Sequence, residues 1–318
     1  SFYDIGAGGG GAGGSVQLRS EGWLQGNGTV RANGGDGGVR FANDNYNSIN
    51  QNGGGGAGGR ISLQYQQLHG MLRTRLHAVG GSSGSYTTKL AGAGTVYHRI
   101  APTPGQMSVL LTIDQGGPSS GLTVAPSLLT SSIFSFDVPN LTMHINGSAN
   151  ALWQGSAMSA VLMHVALGSE LACSSSCALT ATRSVRLLGS WKATSRTLGL
   201  ACPSLVVGPS ATMAAGVVTL STTELNASLP ELSPEEPPGV QVAGSVTATT
   251  SIDVDVAGRR LEMLASSLVQ ASTALAVRGE HVSLAASSHM RCTSAGCTVS
   301  VEVAGHLEVN SSITAASS

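Results

Sequence analysis

Short alternations of apolar and polar residues run along the whole chain. Val16 and Leu18, then Ile61, Leu63 and Tyr65, then Leu72, Thr74 and Leu76 each point alternate side chains one way. That two-residue period predicts half-buried β-strands rather than helices. Glycine runs frame these strands: GAGGGGAGG precedes SVQLR, and GGGGAGG precedes RISLQY. The two units align at an offset of 45, Val16 with Ile61 and Leu18 with Leu63. At an offset of 46, Val30 aligns with Leu76, Ala32 with Ala78, and Gly34-Gly35 with Gly80-Gly81. A third start, GAGTVYHRI, follows at Gly92. A unit that repeats this way buries its apolar face only against its neighbours.

Beyond residue 105 the pattern changes. LTMHINGSANAL, VALGSEL, VRLLGSW, LVVGPSATM, VDVAGRRLEM, LAVRGEHVSL and VEVAGHLEV each read as strand, glycine, second short strand. Their glycines are Gly147, Gly168, Gly189, Gly208, Gly258, Gly279 and Gly305, with a recurring gap of 21 residues. Glycine at a fixed place in each turn of chain predicts a sharp corner. The expected fold is therefore all-β: a right-handed parallel β-helix, or solenoid, whose first third is glycine-rich. Two zones are expected, 1–105 as Gly-rich β-solenoid repeats and 106–318 as parallel coils of about 21 residues. A proline-rich, acidic insertion, LPELSPEEPPG, interrupts the second at 229–239. The rival fold is a β-sandwich, which needs hairpin turns and no constant period. Within the repeat, the glycine runs are expected to stack as extended, polyglycine-like rungs or as sharp loops. Without Cβ atoms their backbones can satisfy one another's N–H and C=O groups.

Composition sharpens this picture. Of 318 residues, 43 are glycine, charged residues make 10%, aromatics 4%, and the net charge is −1. So little basic charge argues against nucleic acid or an anionic lipid surface as a partner. No apolar run is long enough to span a membrane. A hydrophobic fraction of 41% distinguishes the chain from a disordered polar one. The first residue opens in mid-pattern, with no leader, so a piece of a larger polypeptide is expected.

The cysteines fall as CSSSC, Cys173 and Cys177, and CTSAGC, Cys292 and Cys297, with Cys202 left over. Local disulfides, free thiols and a metal site are all compatible with those spacings; disulfides would place the chain in an oxidising compartment. Asn-x-Ser/Thr acceptors stand at Asn27, Asn140, Asn146, Asn226 and Asn310.

The series GGGGAGGRISLQY, HAVGG and GAGTVYH, between Gly6 and Arg99, resembles the glycine-rich repeat of very large extracellular β-helical proteins. Those include bacterial adhesin-like surface proteins and giant secreted or surface proteins of protists and algae. The resemblance implies cell-surface, matrix or flagellar-hair material rather than an enzyme.

Candidate chemistry is sparse. Gly80-Gly81-Ser82-Ser83-Gly84 fits a nucleophile-elbow formula and Gly6 to Gly11 a dinucleotide formula, but neither sits where a helix would follow. Asp253 and Asp255 in SIDVDVAG share one strand face, with Arg259, Arg260 and His281 candidates to lie near them. That set is what a polysaccharide-active enzyme or a calcium site would need. Arg73, Arg75 and His77 form a basic stripe suited to acidic glycans, and Asn43-Asp44-Asn45 hints at a calcium loop. His144 and His164 are expected on neighbouring strands, and Trp23, Trp153 and Trp191 are expected to pack in the core or at corners. The expected function is a non-enzymatic structural or adhesive segment of a secreted, glycosylated surface or filament protein. It would need no cofactor or metal and would assemble with itself or other surface proteins, with glycans as further partners. The alternatives are a polysaccharide lyase or hydrolase and a monomeric glycan-binding module.

Overall fold

The computed structural model describes residues 7–39, 52–69, 75–84, 89–103, 106–115, 123–124, 127–129, 141–223 and 239–315. Among these there is no helix, and the chain divides into two compact units. The first comprises residues 1–128 and 144–151, and the second residues 129–143 and 152–318.

The first unit contains β1 (Ser15–Arg19), β2 (Trp23–Gln25), β3 (Val30–Arg31), β4 (Arg60–Tyr65), β5 (Gln67–His69) and β6 (Leu76–His77). It continues with β7 (Lys89–Leu90), β8 (Thr95–Thr103), β9 (Gln106–Asp114) and β10 (Thr123–Val124). β1 and β4 run parallel with Val16 opposite Ile61 and Leu18 opposite Leu63; β3 pairs β6 with Val30 opposite Leu76. These are the residues the repeat aligns. β4 also pairs β8 in parallel, and β2 pairs β5. Ile61, Leu63, Tyr65, Val96, Ala32 and Ala78 form the buried core, because alternation sends these side chains inward while Arg60, Ser62 and Gln64 face out.

β11 (Ser127–Leu129), β12 (Leu141–Asn146) and β13 (Asn150–Trp153) follow. The second unit then holds β14 (Ala157–Val165), β15 (Glu170–Cys173), β16 (Cys177–Leu187), β17 (Ser190–Ala201), β18 (Ser204–Val207) and β19 (Thr212–Ser221). After them come β20 (Gly239–Val242), β21 (Ser245–Met263), β22 (Leu268–Ala271), β23 (Ala274–Leu284), β24 (His289–Cys292), β25 (Thr298–Val309) and β26 (Ser312–Ala315). Each strand pairs in parallel with the next but one: Ala157 lies opposite Ala178, Thr197 opposite Val217, Ser251 opposite Ala274. Inward Val, Leu, Met and Ile are nearly all buried, among them Met163, Leu171, Val185, Leu198, Met213, Val254 and Val277.

The expected architecture, an open right-handed parallel β-helix along the whole chain, is corrected by this pairing. In the second unit the sheet closes on itself as a barrel wall does, instead of opening into separate solenoid coils. β16 pairs with both β17 and β18, and β21 with both β20 and β22 as well as β19 and β23. Long strands cause this. β21 runs for 19 residues through its bends, with register shifts marking them, so the ladder is not interrupted at each corner. A second departure lies in the first unit, where β8 and β9 pair antiparallel as a hairpin, Val96 opposite Thr112. The hydrophobic period reports which side chains face inward. It does not report whether the backbone stays paired through a bend, nor strand direction.

The fixed glycine corner is corrected as well. Gly147 and Gly168 have positive φ, 60° and 78°, in tight turns whose closing N–H groups, from Ala149 and Ser169, reach back to Asn146 and Ala166. The turn at Ala166–Ser169 recurs at Leu264–Ser267 and Ala285–Ser288, but there Ser266 and Ser287, both at φ 63°, hold the place of Gly168; at Asn146–Ala149 that place is held by Ser148, φ 60°. Gly258 lies within β21, and Gly279 lies opposite Val256 and Val303, so the glycines 21 apart are not equivalent.

Candidate functional site

The most distinctive arrangement is a lattice of glycine runs in the first unit. Five stretches take part: residues 8–14, 32–38, 53–59, 78–84 and 91–94. The N–H groups of Gly53, Gly56 and Gly59 donate to the carbonyls of Gly38, Gly35 and Ala32, at 3.1, 2.8 and 2.6 Å. Gly35 and Gly38 in turn donate to Gly11 and Gly8, both at 2.8 Å. Gly10 and Gly13 donate to Gly54 and Ala57, and Gly81 and Gly84 to Gly56 and Gly53. The step is three residues, not the two of a β-ladder. Three per turn without internal hydrogen bonds is the geometry of the polyproline-II helix, here built from glycine. Sequence order shows that the first, third and fifth runs go one way and the second and fourth return.

Steric need explains the composition. A Cβ on Gly56 would sit 2.0 Å from the Gly11 carbonyl oxygen, and one on Gly34 1.9 Å from that of Gly56. The outward positions tolerate more: Ala12 and Ala57 are exposed. On the returning runs, side chains extend the network. Asn33 Oδ1 accepts from the Val79 N–H at 3.1 Å, and Asp36 Oδ1 accepts from both the N–H and hydroxyl of Ser82 at 2.7 and 2.8 Å. Those donors hold the Asp36 carboxyl below its ordinary pKa. The elbow-like residues Gly80 to Gly84 and the residues Gly8 to Gly11 belong to this lattice.

The other sequence candidates are dispersed. Asp253 and Asp255 do share a face, but one guanidinium spans them. Arg278 Nη2 lies 2.9 Å from Asp253 Oδ1, and its Nε 3.6 Å from Asp255 Oδ2. The two carboxylates raise the pKa of Arg278, Asp253 first. Arg260 instead meets Glu262 at 3.3 Å, and His281 lies opposite Arg260, 3.8 Å from Glu280. Sequence reasoning missed Arg278. Its signal was an Arg opposite an Asp one strand along, hidden because this pairing is offset by 23 residues rather than 21. Arg75 reaches back so that its Nη1 donates to the Asn27 carbonyl at 2.5 Å, and His77 is half-buried; Arg73 lies outside the described residues. So do Asn43, Asp44 and Asn45.

Asn27 and Asn310 are exposed and Asn146 half-buried, while Asn140 and Asn226 lie outside the described residues, as does most of the 229–239 insertion. Asn310 Nδ2 donates to Glu308 Oε1 at 2.7 Å. Cys173 is disulfide-bonded to Cys177 and Cys292 to Cys297. Cys202 is a buried thiol, and burial pushes its pKa up to about 12. His164 lies opposite Arg186; burial first, then that guanidinium, lowers its pKa. Trp153 and Trp191 are core residues, each 1% exposed, and Trp191 Nε1 donates to Cys173 Sγ at 3.4 Å. Trp23 departs from expectation: it is 67% exposed, its ring edge against His69 at 5.2 Å. Among the described residues no group of three or more His, Cys, Asp or Glu could hold a metal ion, and no helix is long and apolar enough to cross a membrane. No family model, curated protein or solved structure matches the chain.

Proposed function

We propose that this chain is a structural or adhesive segment of a secreted, glycosylated surface or filament protein. The observation that carries the reading is the glycine lattice. Its runs are tied to one another by backbone hydrogen bonds, and the groups brought together are backbone amides rather than reactive side chains. Such an arrangement gives cohesion and shape, which is what a load-carrying or surface-coating segment requires. The two disulfides favour an oxidising, extracellular setting. Exposed Asn27 and Asn310 offer glycan attachment points on a surface short of charge.

Electron microscopy of the native source, with glycopeptide mass spectrometry, tests this. The expected result is the chain within a filament or surface layer, carrying glycans at Asn27 and Asn310. A soluble monomer that turns over pectin, alginate or a sulfated glycan, with turnover abolished by Asp253→Asn, overturns it. The Arg278 bridge argues for the first outcome, since it ties up the carboxylates a general acid–base pair would use.

A further inference from the structure

We infer that the first unit carries a docking face, formed by β1, β2, β3 and residues 8–14, for a glycine run leading into an alternating strand on another polypeptide. The inference rests on the structural reading above and names the partner that reading needs.

The face is unfinished at every level. β4 is paired on both sides, by β1 and β8, but β1 pairs only β4 among the described residues, β2 only β5 and β3 only β6. Ile61 and Leu63 are 1% and 0% exposed, whereas their register partners Val16 and Leu18 on β1 are only partly covered. Backbone edges and apolar side chains thus stop together along one side.

The glycines identify the occupant. Gly53, Gly56 and Gly59 need to be glycine because a Cβ on each would come within 1.9–2.0 Å of the carbonyl oxygens of Gly8, Gly11 and Gly14. Gly8, Gly11 and Gly14 have the same three-residue spacing one register over. A Cβ on any of them meets nothing within 4 Å among the described residues, and none has a positive φ. Among the described residues, nothing in the unit requires glycine at those three positions. A neighbouring run does, placed against residues 8–14 as those residues are placed against 53–59. In the existing pair the N–H groups of Gly10 and Gly13 donate to the carbonyls of Gly54 and Ala57. The equivalent acceptors on the open face are the carbonyls of Gly9 and Ala12, 45 residues earlier. The occupant therefore brings N–H groups at a three-residue step in polyproline-II geometry, then a strand that adds to β1 in parallel with apolar residues over Val16 and Leu18.

The test uses the full chain and a fluorescent synthetic peptide, GGGGAGGSVQLR, the sequence of residues 8–19. Saturable binding by fluorescence anisotropy is expected, weakened at least about tenfold by Gly11→Leu in the protein, because the new side chain fills the docking space. The thermal midpoint of that variant should equal that of the parent. A peptide N-methylated at every third residue should not bind. Absence of saturable binding, or binding to Gly11→Leu as tight as to the parent, overturns the inference. So does a lowered midpoint for Gly11→Leu, which would show the space already filled from within. Filaments seen in the native source while the peptide fails to bind sink this face alone and leave the structural role standing.

Discussion

Ser266 and Ser287 hold a left-handed conformation that an L side chain adopts at a cost of roughly 1–2 kcal/mol. Gly168 holds the same place in an equivalent turn without that cost. Ser266→Gly and Ser287→Gly are each expected to raise stability by about 0.5–1 kcal/mol, the glycine's extra unfolded-state entropy offsetting part of the gain. Urea denaturation of the two variants checks this; a lowered midpoint would show that the serine hydroxyls matter more than the backbone. Asp36 makes the opposite kind of contribution. Its folded pKa is depressed by the Ser82 donors, so its stabilisation is present above about 3.9, the ordinary unfolded value, and is lost as pH falls through the folded value. The first unit should weaken on acidification through that window, and Asp36→Asn should flatten the dependence, read by circular dichroism in urea at a series of pH values. The serine corners are hidden because glycine is the residue whose missing Cβ ordinarily marks a left-handed corner. Ala265-Ser266-Ser267 and Ala286-Ser287-Ser288, spaced 21 apart, were the markers that stood in plain view.

At the scale of an element, a glycine run behaves unlike a strand, because each of its faces has its own steric rule. Gly56→Ala should destabilise the first unit by about 1–3 kcal/mol, the usual cost of overpacking, since its Cβ would sit 2.0 Å from a carbonyl oxygen. Gly11→Ala in the isolated chain should be neutral or slightly stabilising. A chemical-denaturation series on both variants separates the two rules; equal losses would mean that composition matters and position does not. Much of this element was readable. The 45-residue alignment of Val16 with Ile61 and Leu18 with Leu63 is the register of β1 on β4, because two strands with the same alternation bury the same face when stacked. The extended, mutually bonded glycine runs were readable from the absence of side chains. The antiparallel return of alternate runs was not, since a glycine sequence carries no mark of direction. The β8–β9 hairpin was missed for a related reason: alternation is the same whichever way a strand runs.

For the whole molecule, the cysteines give the most direct check. Alkylation of the native protein without reductant at mildly alkaline pH should label no cysteine, because four are bonded and Cys202 is buried with its pKa near 12. Denaturation should expose one. Mass spectrometry counts the labels, and any native-state label refutes the assignment. Reduction of either small loop should cost about 2 kcal/mol in the loop-entropy picture. The local disulfides were legible as one of three readings of the short loops, beside free thiols and a metal site. The closed wall of the second unit was not, since spacing between apolar residues is blind to what the backbone does at a bend. The glycine lattice has one more consequence, for how such a gene can change. Any missense change at glycine adds atoms, so mutation can clog the inward positions and never open new ones. Length is also quantised: inserting three residues advances a run by one turn and restores every facing, whereas inserting one rotates all that follows by a third of a circle. Growth of these runs should therefore proceed in steps of nine nucleotides, or by whole copies of the unit.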